Sequence, residues 1–172
     1  MSGEVGKVNH PLTHPLTHSL IISHSLFTST PTTLPTHISI LCPPTVLIIG
    51  AGGIGSSAIM YLAGAGVGSL TLVDFDIVEE SNLHRQVIHD TASAHSGTYK
   101  ANSAAARVNA LNPFISCDVV IEKLTRNNAL DIMKRKNYDL VVDATDNFDA
   151  RYLINDTCNI IGIPLVSGSA GE

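Results

Sequence analysis

From Val46 onward the chain alternates short runs of consecutive apolar residues with longer stretches whose apolar positions recur every three or four residues. Continuous runs of β-branched residues suit strands buried on both faces, and the three-to-four spacing suits helices with one apolar side. On this basis strands are predicted at Val46–Ile49, Ser69–Val73, Ile115–Ile121, Asp139–Ala144 and Pro164–Ser167. Helices are predicted over Ser56–Ala63, Gly97–Leu111, Arg126–Lys136 and Ala150–Ile161, with a loop from Phe75 to about Ser96. Asn112-Pro113 should end the second helix, because proline disfavours the helical state of the residue before it. Strands separated by helices imply an α/β fold, a Rossmann-like, doubly wound, mainly parallel sheet. Ligands of such sheets bind at the carboxyl ends of the strands, so Gly50, Asp74, Asp143 to Asn147 and Ser167 should converge on one crevice.

Residues 1–44 have a different character. They hold six of the eight prolines and five of the eight histidines, one acid (Glu4) and one base (Lys7). With a near-repeat over His10–His18 and no helical or strand period, they read as a low-complexity, disordered tail. Residues 45–172 then read as part of one nucleotide-binding domain. The formal charge of −5 argues against a nucleic-acid partner, and no segment has the length of a membrane span. Cys42, Cys117 and Cys158 form no C-x-x-C pair, which fits a reducing, cytoplasmic setting and small buried apolar roles.

The most specific signal is the turn Gly50-Ala-Gly-Gly-Ile-Gly55 between the first strand and first helix. Gly50 permits the tight turn, Gly52 lets the backbone approach a phosphate, and Gly55 lets the helix pack on the strand. Free N–H groups at the helix start make an anion site. The second strand delivers Asp74 at the position where such folds place a carboxylate on ribose hydroxyls. Three further groups narrow the chemistry: Arg85 after that carboxylate, Lys100 at the next helix, and Asp146 with Asn147 after a buried strand. Fixed cations are what adenylate transfer needs, since charge builds on the α-phosphate and on departing pyrophosphate. Asp146 is placed to hold Mg²⁺, which takes one or two carboxylates and shares phosphate oxygens. An NAD-dependent oxidoreductase would use the turn and Asp74 but leaves Arg85, Lys100 and Asp146 unexplained.

These motifs together resemble the ThiF/MoeB/HesA superfamily, whose nucleotide domain is shared by enzymes that activate ubiquitin-like proteins. The matching stretches are the glycine turn, Leu72–Val78, Ser81-Asn-Leu-His-Arg-Gln86, Lys100–Pro113, Asp143–Phe148, Arg151–Asp156 and Gly162–Ala170, in family order. The resemblance implies ATP contacts from Gly53, ribose binding by Asp74, and a phosphate lining from Ser81, Asn82, Leu83, His84, Arg85 and Gln86. Asp76 joins that binding set. It implies Arg85, Lys100 and Asp146 as the groups closest to the chemistry, with Asn147 and magnesium completing the site. The implied reaction is adenylation of the Gly-Gly carboxylate of a ubiquitin-like sulfur-carrier protein by ATP, in molybdopterin synthesis or tRNA thiolation, by a homodimer. The wording of Ser81–Asp90 and Val166–Ala170 is most similar to the eukaryotic branch that joins adenylyltransferase and sulfurtransferase activities.

The chain also departs from the family pattern. An arginine-bearing segment usually precedes the first strand, and here no arginine occurs before Arg85. The family's zinc-binding C-x-x-C pairs and acceptor cysteine have no counterpart up to Glu172. The alternative expectation is therefore an incomplete, inactive fragment that still binds nucleotide.

Overall fold

The computed structural model describes residues 43–169; apart from Pro43 and Pro44, the low-complexity tail expected at the N-terminus lies outside them. Five strands, β1 (Thr45–Ile49), β2 (Ser69–Val73), β3 (Ser116–Val120), β4 (Leu140–Asp143) and β5 (Leu165–Ser167), form one sheet in the order β3-β2-β1-β4-β5. All pairings are parallel, with Thr45 opposite Ser69 and Val46 opposite Leu140. The helices are α1 (Gly53–Gly64), α2 (Thr91–His95), α3 (Lys100–Leu111), α4 (Ala129–Met133) and α5 (Phe148–Ile161). The doubly wound parallel sheet expected from the pattern is present.

The continuous apolar runs follow from burial of both sheet faces. Val46, Ile48, Leu70 and Leu72 pack with Ile59 of α1 and Ala104 and Val108 of α3. Their alternating neighbours Leu47, Ile49 and Val73 pack on the other side with Ile132, Met133, Ile154 and Cys158 of α4 and α5. The chain builds β1, β2 and β3 outward in one direction and then crosses back to lay β4 beside β1. That reversal opens a crevice between the carboxyl ends of β1 and β4.

The structure corrects three expected boundaries. The stretch read as one loop from Phe75 to Ser96 contains a 3-10 turn at Glu80–Asn82 and the short helix α2, capped by the Asp90 carboxylate accepting from Ser93 N–H at 2.7 Å. The helix expected from Gly97 begins at Lys100 instead. Gly97 is left-handed (φ 65°), and Val78 N–H bonds to the Thr98 carbonyl at 2.9 Å, so these residues are spent on a turn and a short ladder. The helix expected over Arg126–Lys136 shrinks to α4, because the Asn128 side chain accepts from Thr125 and ties residues 125–128 into a turn. Among the described residues, no helix is long and apolar enough to cross a membrane.

Candidate active site

Gly50 leaves β1 with φ 97°, and a Cβ there would meet the Ala144 carbonyl oxygen at 2.8 Å. The close approach of the β1 and β4 ends therefore requires glycine on both counts. Gly52 precedes α1 and Gly53 is its first residue, so the turn presents the uncapped N–H groups of a twelve-residue helix. A Cβ on Gly53 would lie 3.7 Å from the Arg85 carbonyl oxygen, and one on Gly52 would lie 3.8 Å from the Gln86 amide nitrogen. The segment after the 3-10 turn thus lies along the glycine turn.

Asp74 continues from β2 and uses both carboxylate oxygens on backbone. One accepts from Ala51 N–H at 2.7 Å and the other from Asp76 N–H at 2.8 Å. Burial raises its carboxyl above the ordinary range, opposed by those two hydrogen bonds and by the charge of Lys100. Asp74 thereby sets the shape of the turn, and each oxygen keeps a lone pair for a ribose hydroxyl. On the opposite side of Ala51, His89 Nε2 lies 2.9 Å from the carbonyl oxygen and Nδ1 lies 3.0 Å from the Ser103 hydroxyl. The carbonyl can only accept, so Nε2 carries the proton and Nδ1 accepts from the hydroxyl.

Beyond this turn is an open cavity of about 300 Å³, lined by Asp76, Asn82, Arg85, Gln86, Lys100 and Asp146 with Ile77 and Glu79. Lys100 opens α3 and is only 8 % exposed. Its Nζ donates to the Asp76 carboxylate at 3.0 Å, and its backbone N–H donates to the Asp76 carbonyl at 2.8 Å. Arg85 donates to the Asn82 side-chain oxygen at 2.5 Å, and Asn82 in turn donates to Glu79 at 3.0 Å. The Gln86 side-chain oxygen is buried without a partner. Two cations, three carboxylates and two amides around one cavity suit a polyanion together with a divalent cation.

Of the residues expected at a nucleotide site, Asp76, Asn82, Arg85, Gln86, Lys100 and Asp146 share this cavity, with the glycines and Asp74 behind it. Ser81, Leu83 and His84 do not line it; Ser81 donates to Glu79 at 3.4 Å and His84 lies 3.4 Å from Arg85. Asn147 caps α5, its side-chain oxygen accepting from Ala150 N–H at 2.8 Å. Asp143 and Ser167 do meet at the strand ends, but they bind each other at 2.7 Å, with Thr145 on the second Asp143 oxygen. Arg151 joins the same region, donating to the Thr145 carbonyl at 2.9 Å and to the Gly168 carbonyl at 2.6 Å. His89 and Arg151 are assigned no role from the sequence, since their partners are backbone carbonyls and a hydroxyl that carry no motif. Burial pushes the Cys158 thiol up to about 12 and the Cys117 thiol to about 11, so neither supplies a thiolate at neutral pH.

The titration of this region gives a stability prediction. Burial lowers the His89 pKa below 6.5; Lys100, Asp74 and Asp90 are the charged groups that face it. The unfolded chain then takes up this proton first, so stability is lost as pH falls through about 6.5. Asp74 acts lower and with opposite sign, since its raised pKa favours the folded state as pH falls toward 3.8. The melting midpoint should drop between pH 7.5 and pH 5.5, and His89→Gln should flatten that part of the curve; an unchanged slope in the variant refutes the assignment.

Residues 41–172 match the profile of the ThiF family. Over 132 residues the chain is 49% identical to the adenylyltransferase and sulfurtransferase MOCS3 of Arabidopsis thaliana, covering 77% of this chain and 28% of that protein. It is 50% identical over 124 residues to the SAMP-activating enzyme E1 of Haloferax volcanii, covering 72% of this chain and 44% of that one. The chain therefore spans less than half the length of these curated relatives. Among solved structures, the fold is similar to E. coli tRNA N6-threonylcarbamoyladenosine dehydratase, TcdA, in complex with ATP. That match has a TM-score of 0.68 at 32% identity and covers 72% of this chain and 50% of that one.

Proposed function

The chain belongs to the ThiF family, and from that premise we propose that it binds ATP and adenylates the C-terminal Gly-Gly carboxylate of a ubiquitin-like sulfur-carrier protein. The observation that carries this reading is the gathering of Arg85, Lys100 and Asp146 on one cavity wall beside the glycine turn. A carboxylate oxygen of the carrier attacks the α-phosphorus, the bond from that phosphorus to the bridging oxygen breaks, and pyrophosphate leaves with the bonding electrons. The attacking carboxylate is already ionised at neutral pH, so the reaction needs no general base. It needs two anions held together and their repulsion neutralised.

Lys100 and Arg85 supply fixed positive charge for the phosphates, and the α1 N-terminus with the Gly52 and Gly53 amides supplies oriented dipoles. Asp74 reads the ribose. Asp146 is the residue proposed to hold magnesium, with Asp76 and Glu79 as further carboxylates of the same cavity; this donor set fits a hard ion that shares phosphate oxygens. When bound, the ion neutralises phosphate charge. The relatives named adenylyltransferase and sulfurtransferase MOCS3 and SAMP-activating enzyme E1 favour a carrier of the ubiquitin-like class, as used in molybdopterin synthesis or tRNA thiolation.

A thermal-shift comparison separates this reading from an oxidoreductase. Saturation at about 100 times the dissociation constant stabilises the folded state by about 2.7 kcal/mol, so ATP with Mg²⁺ should raise the melting midpoint by several degrees. NAD should leave it unchanged, and protection by NAD alone overturns the reading. Exchange of labelled pyrophosphate into ATP, dependent on a Gly-Gly-ended carrier, then tests turnover. ATP protection with no exchange would assign the chain nucleotide binding without catalysis.

A further inference from the structure

His89 touches three parts of the candidate site at once. Its Nε2–H donates to the Ala51 carbonyl in the glycine turn at 2.9 Å. Its Nδ1 accepts at 3.0 Å from Ser103, which lies on α3, the helix that Lys100 opens, and the Ser103 oxygen, its one proton used there, can accept from the Ser93 hydroxyl at 3.2 Å. Its backbone N–H donates to the Gln86 carbonyl at 3.1 Å and so closes the segment carrying Asn82 and Arg85. Ala51 is 1 % exposed and its own N–H is held by Asp74. Both of its peptide groups are thus fixed by side chains, and their plane decides where the Gly52 and Gly53 amides point.

We propose that His89 is a positioning residue whose side chain holds the glycine turn and the Lys100 helix in register for the nucleotide phosphates. The proposal rests on the ATP-binding reading for its ligand and goes beyond it in assigning this side chain a role. His89 lines no part of the cavity and acts only through the peptide of Ala51 and the hydroxyl of Ser103. Losing the Nε2 donor leaves a buried carbonyl unpaired, which the turn relieves by rotating the Ala51 peptide and misaligning the phosphate-binding amides.

Two amide substitutions separate this from a histidine that merely fills space. In His89→Gln the side-chain N–H reaches the place of Nε2 and can still donate to Ala51; in His89→Asn it stops at the place of Nδ1. Titration calorimetry of the full chain with ATP and Mg²⁺ should show His89→Gln within a few-fold of wild type. His89→Asn should bind about tenfold to a hundredfold more weakly, the penalty of one unpaired buried acceptor. In pyrophosphate exchange the same variant should raise KM for ATP more than it lowers kcat. Ser103→Ala, which removes only the Nδ1 partner, should fall between the two. Equal affinity of the two amide variants, with melting midpoints lowered alike, overturns the proposal. Absence of ATP binding by the wild-type chain would instead strike the ATP-binding reading beneath it.

Discussion

Lys100→Ala is expected to lower carrier-dependent pyrophosphate exchange by about 100- to 1000-fold, the scale seen when one preorganised stabiliser of developing charge is removed. The effect should be large because the ammonium is nearly enclosed and its stem is fixed by the start of α3. The substitution also leaves the Asp76 carboxylate without its partner on the wall that receives the phosphates, adding repulsion to lost attraction. Lys100→Arg should not rescue: a planar fork is wider than an ammonium, and the buried stem leaves it no room to turn. Quantitative exchange assays on both variants, with melting curves to show that they fold, check this. Exchange at the wild-type rate by Lys100→Ala would remove the lysine from the chemistry.

Gly55→Ala should be the most damaging single methyl group in the domain. Its Cβ would lie 2.0 Å from the Gly50 carbonyl oxygen, and that oxygen belongs to the turn itself and cannot rotate aside. Relief requires α1 to move off the β1 end, opening the crevice and the packing of Ile59 together. A loss of about 3 kcal/mol follows from overpacking on this scale, equivalent to a midpoint lower by roughly 10 °C for a domain of this size. Gly64→Ala, at the other end of the same helix, meets no heavy atom within 4 Å and should be neutral or stabilise by about 0.5 kcal/mol. Comparable melting midpoints for the two variants would contradict the packing argument. The contrast also tests the site, since ATP binding should be lost in the first variant and kept in the second.

Much of the architecture was legible because both sheet faces are buried. Ser69–Val73 combines strand-forming residues with three apolar positions, and the observed β2 has the predicted bounds. Where side chains decide the backbone locally, the pattern misled. Thr98 carries no apolar signal, yet its carbonyl accepts from Val78 N–H just before α3 begins at Lys100, which lines the cavity. Arg85, Lys100 and Asp146 are expected from their placement after the strands, and Asp76, Asn82 and Gln86 from the family resemblance; all six line the cavity. The brace from His89 to Ala51 was not legible, since it joins residues 38 apart through a carbonyl that every residue type possesses.

The pairing of Lys100 with Asp76 has a thermodynamic consequence. A free lysine surrenders about 1.5–2 kcal/mol of rotamer freedom when a ligand pins it down. Here the side chain is already buried and paired, its Nζ 3.0 Å from a carboxylate that is itself half in water. An incoming phosphate oxygen has only to take over one of three ammonium protons, and Asp76 can turn back to solvent or to a bound cation. The disorder lost on ordering the lysine has been surrendered during folding, so nucleotide capture should carry a smaller entropic penalty than an unrestrained lysine would impose.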